Sequence, residues 1–160
     1  MTKVNLLLDN PGDVRNGYLN FDPQTPGQCS DGRIRAAVDD LSHTIDANEL
    51  EELVAHDILD YFGVSEADRV LDHWLSRLAH GGTLSLSVVD LREVSRAVLA
   101  NALDIADVNE LLFGQQERAW QFKKCVFTLP VLVGMLRKKG YKILLQKCAD
   151  CRAVVTCQRA

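Results

Sequence analysis

The apolar positions of this chain fall into two kinds of segment, which predict two kinds of element. Short runs that are almost continuously apolar are typical of strands buried on both faces of a parallel sheet. Seven such runs predict strands at residues 4–8, 18–21, 34–38, 52–56, 83–89, 141–147 and 152–158. The chain therefore carries strands from one end to the other.

The second kind of segment repeats its apolar residues with the period of a helix. Residues 65–80 show this period most clearly, and the pair Gly81-Gly82 is expected to end that helix. The pattern predicts further helices over 90–103 and 128–140. One face of the first helix is apolar at Val70, Leu71, Trp74, Leu75 and Leu78.

The order of these elements predicts one α/β domain over residues 1–160. Alternation of helices and strands indicates a mostly parallel sheet, and the last two strands form an antiparallel C-terminal hairpin. Only nine residues separate the first two predicted strands, whereas a parallel crossover usually takes a dozen or more. We therefore expect thin helical cover on one sheet face, and a homodimer that covers it.

Composition narrows the classes of partner. The 160 residues are 47% hydrophobic and 25% charged, with a formal net charge of −4, which gives no reason to expect nucleic acid. No apolar run approaches the ~18 residues of a membrane span, and no signal peptide precedes the first strand. We expect a cytoplasmic protein.

The cysteines raise the question of a metal. Cys148 and Cys151 have the spacing C-x-x-C, with Cys157 nearby. A structural zinc site needs four ligands, and no second pair of Cys or His follows. The sequence predicts no metal, and half of a zinc motif is the alternative.

Polar residues follow four of the predicted strands. They are Asp9 to Gly12, Asp22, Asp39 to Leu41, and His56 to Ile58. In an open α/β sheet, ligands bind beyond the carboxyl ends of the strands. Asp22 is the strongest candidate, because a carboxylate there accepts hydrogen bonds from both hydroxyls of a ribose. The alternative is a turn residue before Pro23.

Four motifs in order carry a resemblance to a known family. They are "LEELVAHDILDYF" (50–62), "HGGTLSLSVVD" (80–90), "NELLFGQQ" (109–116) and "FTLPVLVGMLRKKGYK" (127–142). Together they resemble the class I S-adenosylmethionine-dependent methyltransferases, in particular compact members that modify saccharides and small molecules. The resemblance covers nearly the whole chain from Tyr18 onward. It implies a Rossmann-like methyltransferase fold with a seven-stranded sheet and reduced helices on one face.

The resemblance also implies a cofactor, S-adenosylmethionine, and residues that bind it. Asp22 takes the ribose hydroxyls. Asp40 and Leu41 lie on the adenine side, where a carboxylate meets the exocyclic amine and a backbone amide meets a ring nitrogen. The alternative for Asp40 is a cap on the turn toward Ser42.

The first loop departs from the family. Relatives read like "LNLGCG", and alignment on Asn5 places Leu7 and Asp9 where their glycines fall. Asp9 or Asn10 is expected to face the methionine amine, with Gly12 a partial substitute for the lost glycines. This is a cofactor loop without its glycines.

The resemblance places the chemistry after the fourth strand. His56 is a candidate base with Asp57 as its orienting partner, or else an ordinary histidine at a strand end. Tyr61 stands where relatives carry a histidine and is predicted to bind the acceptor, and His56 is also a predicted cofactor contact. Gln115 and Gln116 are predicted to bind the acceptor, and an amphipathic connector is the alternative.

These residues predict methyl transfer from S-adenosylmethionine to a small molecule or a saccharide. One alternative is a non-catalytic binding or scaffold module that has lost the cofactor. Another is a different nucleotide-using enzyme, because a fold does not determine a function.

Overall fold

The computed structural model describes residues 2–26 and 30–160 as a mixed α/β structure. Its strands are β1 (Thr2–Leu6), β2 (Leu19–Phe21), β3 (Arg33–Ile34), β4 (Leu50–His56), β5 (Leu78–Val89), β6 (Lys142–Ala149) and β7 (Arg152–Gln158). Its α-helices are α1 (Val64–Arg77), α2 (Leu91–Leu99), α3 (Ile105–Phe113) and α4 (Leu129–Lys138). β3 is shorter than the run 34–38 predicted, and α3 was not predicted as a separate helix.

All seven strands join one sheet in the order β3-β2-β1-β4-β5-β7-β6. The strands β1 to β5 pair in parallel, whereas β7 runs antiparallel to both β5 and β6. The predicted fold class, a mostly parallel seven-stranded sheet with an antiparallel C-terminal hairpin, is confirmed.

The apolar core lies on one face of this sheet, beneath α1 and α4. Alternate strand residues point into it, as the period of two requires. From the sheet it includes Val4, Leu6, Leu53, Ala55, Leu84, Leu86, Val88, Ala153, Val155 and Cys157. From α1 it takes four residues of the predicted stripe, with Trp74 among them, and the fifth, Leu78, belongs to the core as the first residue of β5. From α4 it takes Leu132, Val133 and Leu136.

The second face of the sheet is polar, which corrects the expectation of strands apolar on both faces. Its central row runs through Asn20, Asn5, Val54, Ser85 and Thr156, which lie side by side in register. A strand with one apolar and one polar face alternates, and "LSLS" in β5 is such an alternation.

A loop covers part of this second face in place of a helix. Residues 10–18 fold back over β1 and β2, where buried Asn5 donates to Asp13 O at 2.8 Å and Asn20 accepts from Arg15 N at 2.9 Å. The two asparagines also bond each other at 2.9 Å. Because this face is polar rather than apolar, the homodimer loses the reason given for it and stays an untested prediction.

The Gly81-Gly82 pair was predicted to end a helix, but in the structure it lies inside β5. α1 ends at Arg77, and β5 begins at the next residue. Leu78 pairs with Leu50 and Thr83 with Glu52, so β5 uses five residues where β4 uses two. Gly81 has φ +76°, and a Cβ on Gly82 would lie 2.6 Å from Leu50 O. The glycines therefore form a bulge.

One carboxylate at the end of β5 begins two helices. Buried Asp90 caps α2 by accepting from Arg92 N at 2.8 Å and Glu93 N at 3.2 Å. Its second oxygen accepts from Leu129 N, the first residue of α4, at 2.7 Å. Asp90 thus fixes both helices at the edge where a ligand is expected.

Candidate functional site

A cleft of about 780 Å³ opens at the carboxyl edge of the sheet. Its walls come from residues 7–13 after β1, residues 56–61 after β4, residues 103–123 of α3 and the following loop, and the hairpin tip 150–152. This is the edge at which an open α/β sheet binds ligands. Its volume lies within the range of small-molecule sites.

The cleft is strongly acidic. Two cations, Lys123 and Arg152, face six carboxylates: Asp9, Asp13, Asp57, Asp107, Glu110 and Asp150. Its formal charge of −4 equals that of the whole chain. A concave acidic surface favours ligands that carry a positive charge.

A smaller hollow of about 220 Å³ lies beside the cleft and shares Leu8, Tyr61 and Trp120 with it. Pro23 after β2, Val38 and Asp39 after β3, and Ile58 and Phe62 after β4 line its other walls. The two spaces together extend from the loop after β3 to the hairpin tip.

The structure brings six of the predicted site residues to the cleft and leaves five outside its lining. The residues that line it are Asp9, Asn10, His56, Asp57, Tyr61 and Gln115. Gly12, Asp22, Asp40, Leu41 and Gln116 do not line it.

His56 and Asp57 are neighbours, but each makes its contacts elsewhere. His56 Nδ1 lies 3.4 Å from a guanidinium nitrogen of Arg15, and His56 Nε2 lies 3.1 Å from Ser85 Oγ. Arg15 only donates, so Nδ1 is the accepting nitrogen. Burial lowers the pKa of His56, and Arg15 lowers it further. His56 is therefore a neutral imidazole whose accepting nitrogen faces Arg15.

Asp57 lies in an ion pair at the cleft wall. Its carboxylate accepts from Arg152 Nε at 2.7 Å and from Ser87 Oγ at 3.2 Å. Asp57 has a left-handed φ of +54°, which turns the chain sharply at the end of β4. Its hydrogen bonds thus orient Arg152 and Ser87 rather than His56.

Asp22 is fully buried, and the chain itself saturates its carboxylate. The carboxylate accepts from Asp9 N at 3.1 Å, from Gln24 N at 2.9 Å and from the Arg33 guanidinium at 2.9 Å. The Arg33 side chain is only 10% exposed. Hydrogen bonds to Asp22 and Asp31 raise the pKa of Arg33 despite its burial. The predicted ribose acceptor therefore holds the chain's own arginine.

The predicted adenine side is also internally bonded. Leu41 N donates to His73 Nε2 at 2.8 Å, so that nitrogen must be unprotonated. Burial lowers the pKa of His73 in keeping with this contact, as does nearby Arg77. Asp40 accepts from Ser42 N at 2.9 Å, which is the turn cap proposed as its alternative role. Hydrogen bonds from Ser42 lower the pKa of Asp40.

The first loop shows how a chain without the glycines makes the turn. Asp9 takes a left-handed φ of +54° and lines the cleft, and Leu7 is buried at its inner wall. Asn10 donates to Asp13 across a short 3₁₀ turn. Gly12 does not line the cleft, and a Cβ there would make an ordinary contact of 3.4 Å with Asn10 Oδ1.

The loop after α3 is folded tightly against itself. A Cβ on Gly114 would lie 2.1 Å from Gln121 O, so only glycine fits there. Gln115 accepts from Gln121 Nε2 at 3.0 Å, and Gln116 lies outside with φ +60°. Of the two predicted acceptor residues, Gln115 faces the cleft and is held by Gln121.

Several residues that line the cleft were not predicted from the sequence. Lys123, Asp107, Glu110, Asp150 and Arg152 sit on elements that meet only in the folded chain. Their charges suit solvent-exposed helix and hairpin positions equally well. The net negative charge of the whole chain was the one feature of the sequence that suggested an acidic site, and it does not indicate where such a site lies.

Within the described residues, no three His, Cys, Asp or Glu side chains come together as ligands for a metal ion. Cys125, Cys148, Cys151 and Cys157 are free thiols. None of the helices in this part of the chain combines the length and apolar character needed to cross a bilayer.

Comparison with known proteins shows which solved structures share this fold. No protein-family model and no curated protein matches the chain. Solved structures do match, among them an O-methyltransferase family protein from Burkholderia thailandensis. It is 15% identical with a TM-score of 0.64, and the match covers 99% of this chain and 51% of that one. The present chain thus spans about half of that relative's length.

Two further structures extend the likeness. One is the 1,6-didemethyltoxoflavin-N1-methyltransferase of Burkholderia thailandensis with bound S-adenosylhomocysteine, at 13% identity and TM-score 0.60, over 99% of this chain and 72% of that one. The other is an S-adenosylmethionine-dependent methyltransferase of Methanosarcina mazei, at 16% identity and TM-score 0.62. That match covers 98% of this chain and 92% of the other. The chain has the Rossmann-like fold of class I methyltransferases.

Proposed function

We propose that this protein transfers a methyl group from S-adenosylmethionine to a small molecule or a saccharide. The observation that carries the proposal is the acidic cleft at the carboxyl edge of a methyltransferase-type sheet. When bound, S-adenosylmethionine supplies a methyl group that its positive sulfonium already activates. Positioning is then most of what the protein must provide.

The cleft side of the site fits the cofactor. Asp9 and Asn10 after β1 offer oxygen atoms to an ammonium, and the acidic lining suits a ligand with two positive centres. The smaller hollow between the ends of β2, β3 and β4 is lined by Val38, Ile58, Phe62 and Trp120. Such aromatic and apolar walls suit a purine ring.

The ribose side fits only after a rearrangement. Asp22 would hold the ribose hydroxyls, and in the present structure Arg33 occupies its carboxylate at 2.9 Å. Leu41 N is likewise bonded to His73. Cofactor binding must therefore displace Arg33 from Asp22, and that displacement weakens the apparent affinity.

The acceptor would enter between α3 and the hairpin tip, where charged side chains line the cleft. Glu110 and Asp150 offer hydrogen-bond acceptors, and Trp120 and Tyr61 offer flat surfaces. Saccharides and polar ring compounds bind to this combination of groups. His56 is neutral, and it can remove a proton from the acceptor once Arg15 leaves its accepting nitrogen.

The internal pairing of Asp22 favours a second candidate. A chain that keeps its ribose carboxylate for Arg33 and its adenine amide for His73 has the features of a non-catalytic module derived from the same fold. The two candidates differ in whether Asp22 can be released.

Titration calorimetry with S-adenosylmethionine and S-adenosylhomocysteine separates them. We expect the wild type to bind, and Arg33→Leu to bind about tenfold more tightly because its Asp22 is free. Arg35→Leu, which removes an exposed neighbouring arginine, is the matched control and should bind like the wild type. Transfer of labelled methyl to a panel of saccharides and small hydroxyl or amine compounds then tests the activity.

Absence of binding by both the wild type and Arg33→Leu at millimolar ligand would establish the non-catalytic module. Binding by the wild type with no transfer to any compound in the panel would restrict the proposal to cofactor binding.

A further inference from the structure

Lys123 is the most deeply buried cation of the cleft. Its side chain is 7% exposed, against 35% for Arg152, the other cation in the lining. Arg152 also donates to Asp57 at 2.7 Å and to Asp150 O at 3.1 Å, and it lies near the surface at the hairpin tip. A charge acts more strongly on a ligand where water is excluded, so Lys123 is the cation better placed to select one.

The backbone around Lys123 is fixed from two sides. Lys123 N donates to Phe113 O at 3.0 Å, which closes the loop after α3. The next residue, Lys124, donates its N–H to Asp60 O at 2.8 Å. The backbone of Lys123 is therefore held in the cleft wall, and its side chain is buried there rather than reaching in from the surface.

The present partners of Lys123 do not engage all the hydrogen-bond donors of its ammonium. Lys123 Nζ lies 3.0 Å from Asp60 Oδ2 and 5.5 Å from the centre of the Tyr61 ring. An ammonium has three N–H donors, and the described residues supply one oxygen. Asp60 is itself a poor match, because neither of its carboxylate oxygens has a hydrogen-bond partner in the described chain, although Lys123 Nζ approaches Oδ2 as an ion pair. Burial raises the pKa of Asp60 although Lys123 opposes that shift.

A buried ammonium with donors to spare is costly unless an anion completes it. The rest of the cleft repels anions, since six carboxylates line it. A zwitterionic ligand, with an ammonium and a carboxylate on one carbon, suits this arrangement. The acidic lining attracts its ammonium, and Lys123 is the place for its carboxylate.

We infer that Lys123 binds the carboxylate of the amino-acid end of the ligand, and so selects a zwitterionic donor over one that lacks the carboxylate. This inference rests on the proposed function, because it assigns a residue to the cofactor's methionine end. Asp60 is then a positioning residue that holds the ammonium, and Tyr61 packs over it.

The test compares S-adenosylmethionine with its decarboxylated analogue, which keeps the sulfonium, the ribose and the adenine. We expect the wild type to bind S-adenosylmethionine at least about tenfold more tightly than the analogue, as a charge-assisted hydrogen bond in a buried site predicts. The double variant Asp60→Asn/Lys123→Met should bind the two ligands equally. It removes both charges together, so that no unpaired carboxylate is left buried.

Lys138→Met, on the exposed last turn of α4, is the matched control and should keep the wild-type preference. Thermal melts verify that each variant is folded. Arg152→Gln tests the competing cation, and loss of the preference there with retention in the double variant would overturn the inference.

The outcomes separate the two proposals. Equal binding of both ligands by the wild type would overturn the role of Lys123 and leave the proposed function intact. Failure of the wild type to bind either ligand at millimolar concentration would reject the proposed function and the inference together.

Discussion

The two halves of the carboxyl edge of this sheet treat their polar groups in opposite ways. At the ends of β2 and β3, Asp22 and Leu41 N are bonded to Arg33 and His73 of the same chain. From β4 to the hairpin tip, carboxylates such as Glu110 and Asp150 line an open cleft. One half is closed by internal bonds, and the other is open to a ligand.

The difference shows that a candidate residue and an available residue are not the same. Asp22 has the position and the chemistry of a ribose acceptor, but it is fully buried. Lys123 belongs to no motif, yet its ammonium has donors to spare. Where hydrogen-bonding capacity remains unused in a structure, a ligand has something to gain.

The largest expected effect is the loss of stability in Asp22→Ala, which breaks the closed half. The variant removes the partner of a nearly buried guanidinium and of two backbone amides. We expect a loss of about 3–5 kcal/mol, as for other broken buried ion pairs. Urea denaturation measures it. The double variant Asp22→Ala/Arg33→Leu should recover part of the lost stability. Equal stability of Asp22→Ala and the wild type would contradict the claim that the Asp22–Arg33 pair stabilises this half of the edge.

A somewhat smaller effect is expected from Asp90→Ala, which breaks the support of the open half. The variant removes the acceptor of three backbone amides, at the starts of α2 and α4. We expect a loss of about 3 kcal/mol from these charge-assisted bonds. Asp104→Ala, the exposed cap of α3, is the comparison and should cost about 1 kcal/mol. Equal costs for the two variants would show that Asp90 does not hold both helices.

The smallest expected effect is a pH dependence in the closed half. The folded state lowers the pKa of His73 below its usual 6.5, so the unfolded chain takes up a proton first as the pH falls. Stability from the Leu41–His73 bond is therefore complete above pH 6.5 and is lost on acidification through the lowered pKa. Asp40, Asp39 and Arg77 also act on this histidine, and solvent screening limits the effect to a few tenths of a kcal/mol.

Denaturation curves at pH 7.5 and pH 5.5 measure this effect. His73→Gln keeps an accepting oxygen and does not titrate, so it should lose less stability between these pH values than the wild type. His43→Gln, at an exposed position, should behave like the wild type. A larger loss of stability between pH 7.5 and pH 5.5 in His73→Gln than in the wild type would contradict the claim that neutral His73 accepts the hydrogen bond from Leu41 N.

Most of the strands along the chain and the apolar stripe of α1 were predictable, because both follow from local periodicity. The antiparallel hairpin was predictable as well, since its two runs are separated only by the turn residues. The Gly81-Gly82 pair misled because glycines end helices and form bulges equally well. Only the approach of Leu50 O, which lies in β4 far earlier in the chain, distinguishes the two.

Of the residues that line the cleft, Asp9, Asn10 and Asp57 could be named as candidates from the sequence, because the end of a strand is a local feature. Those on α3 and the hairpin tip were missed, because their meeting depends on how two distant elements pack. The acidic cleft is thus a property of the fold rather than of any motif.

The sequence by itself determined the sheet, the buried face of α1, and the set of polar residues at the strand ends. These depend on period, turn chemistry and neighbouring residues. The tertiary structure alone decided which of those polar residues are available. Arg33 reached Asp22, His73 reached Leu41, and Lys123 met Asp60, because hydrogen bonds between distant residues form only when packing brings their atoms within about 3 Å.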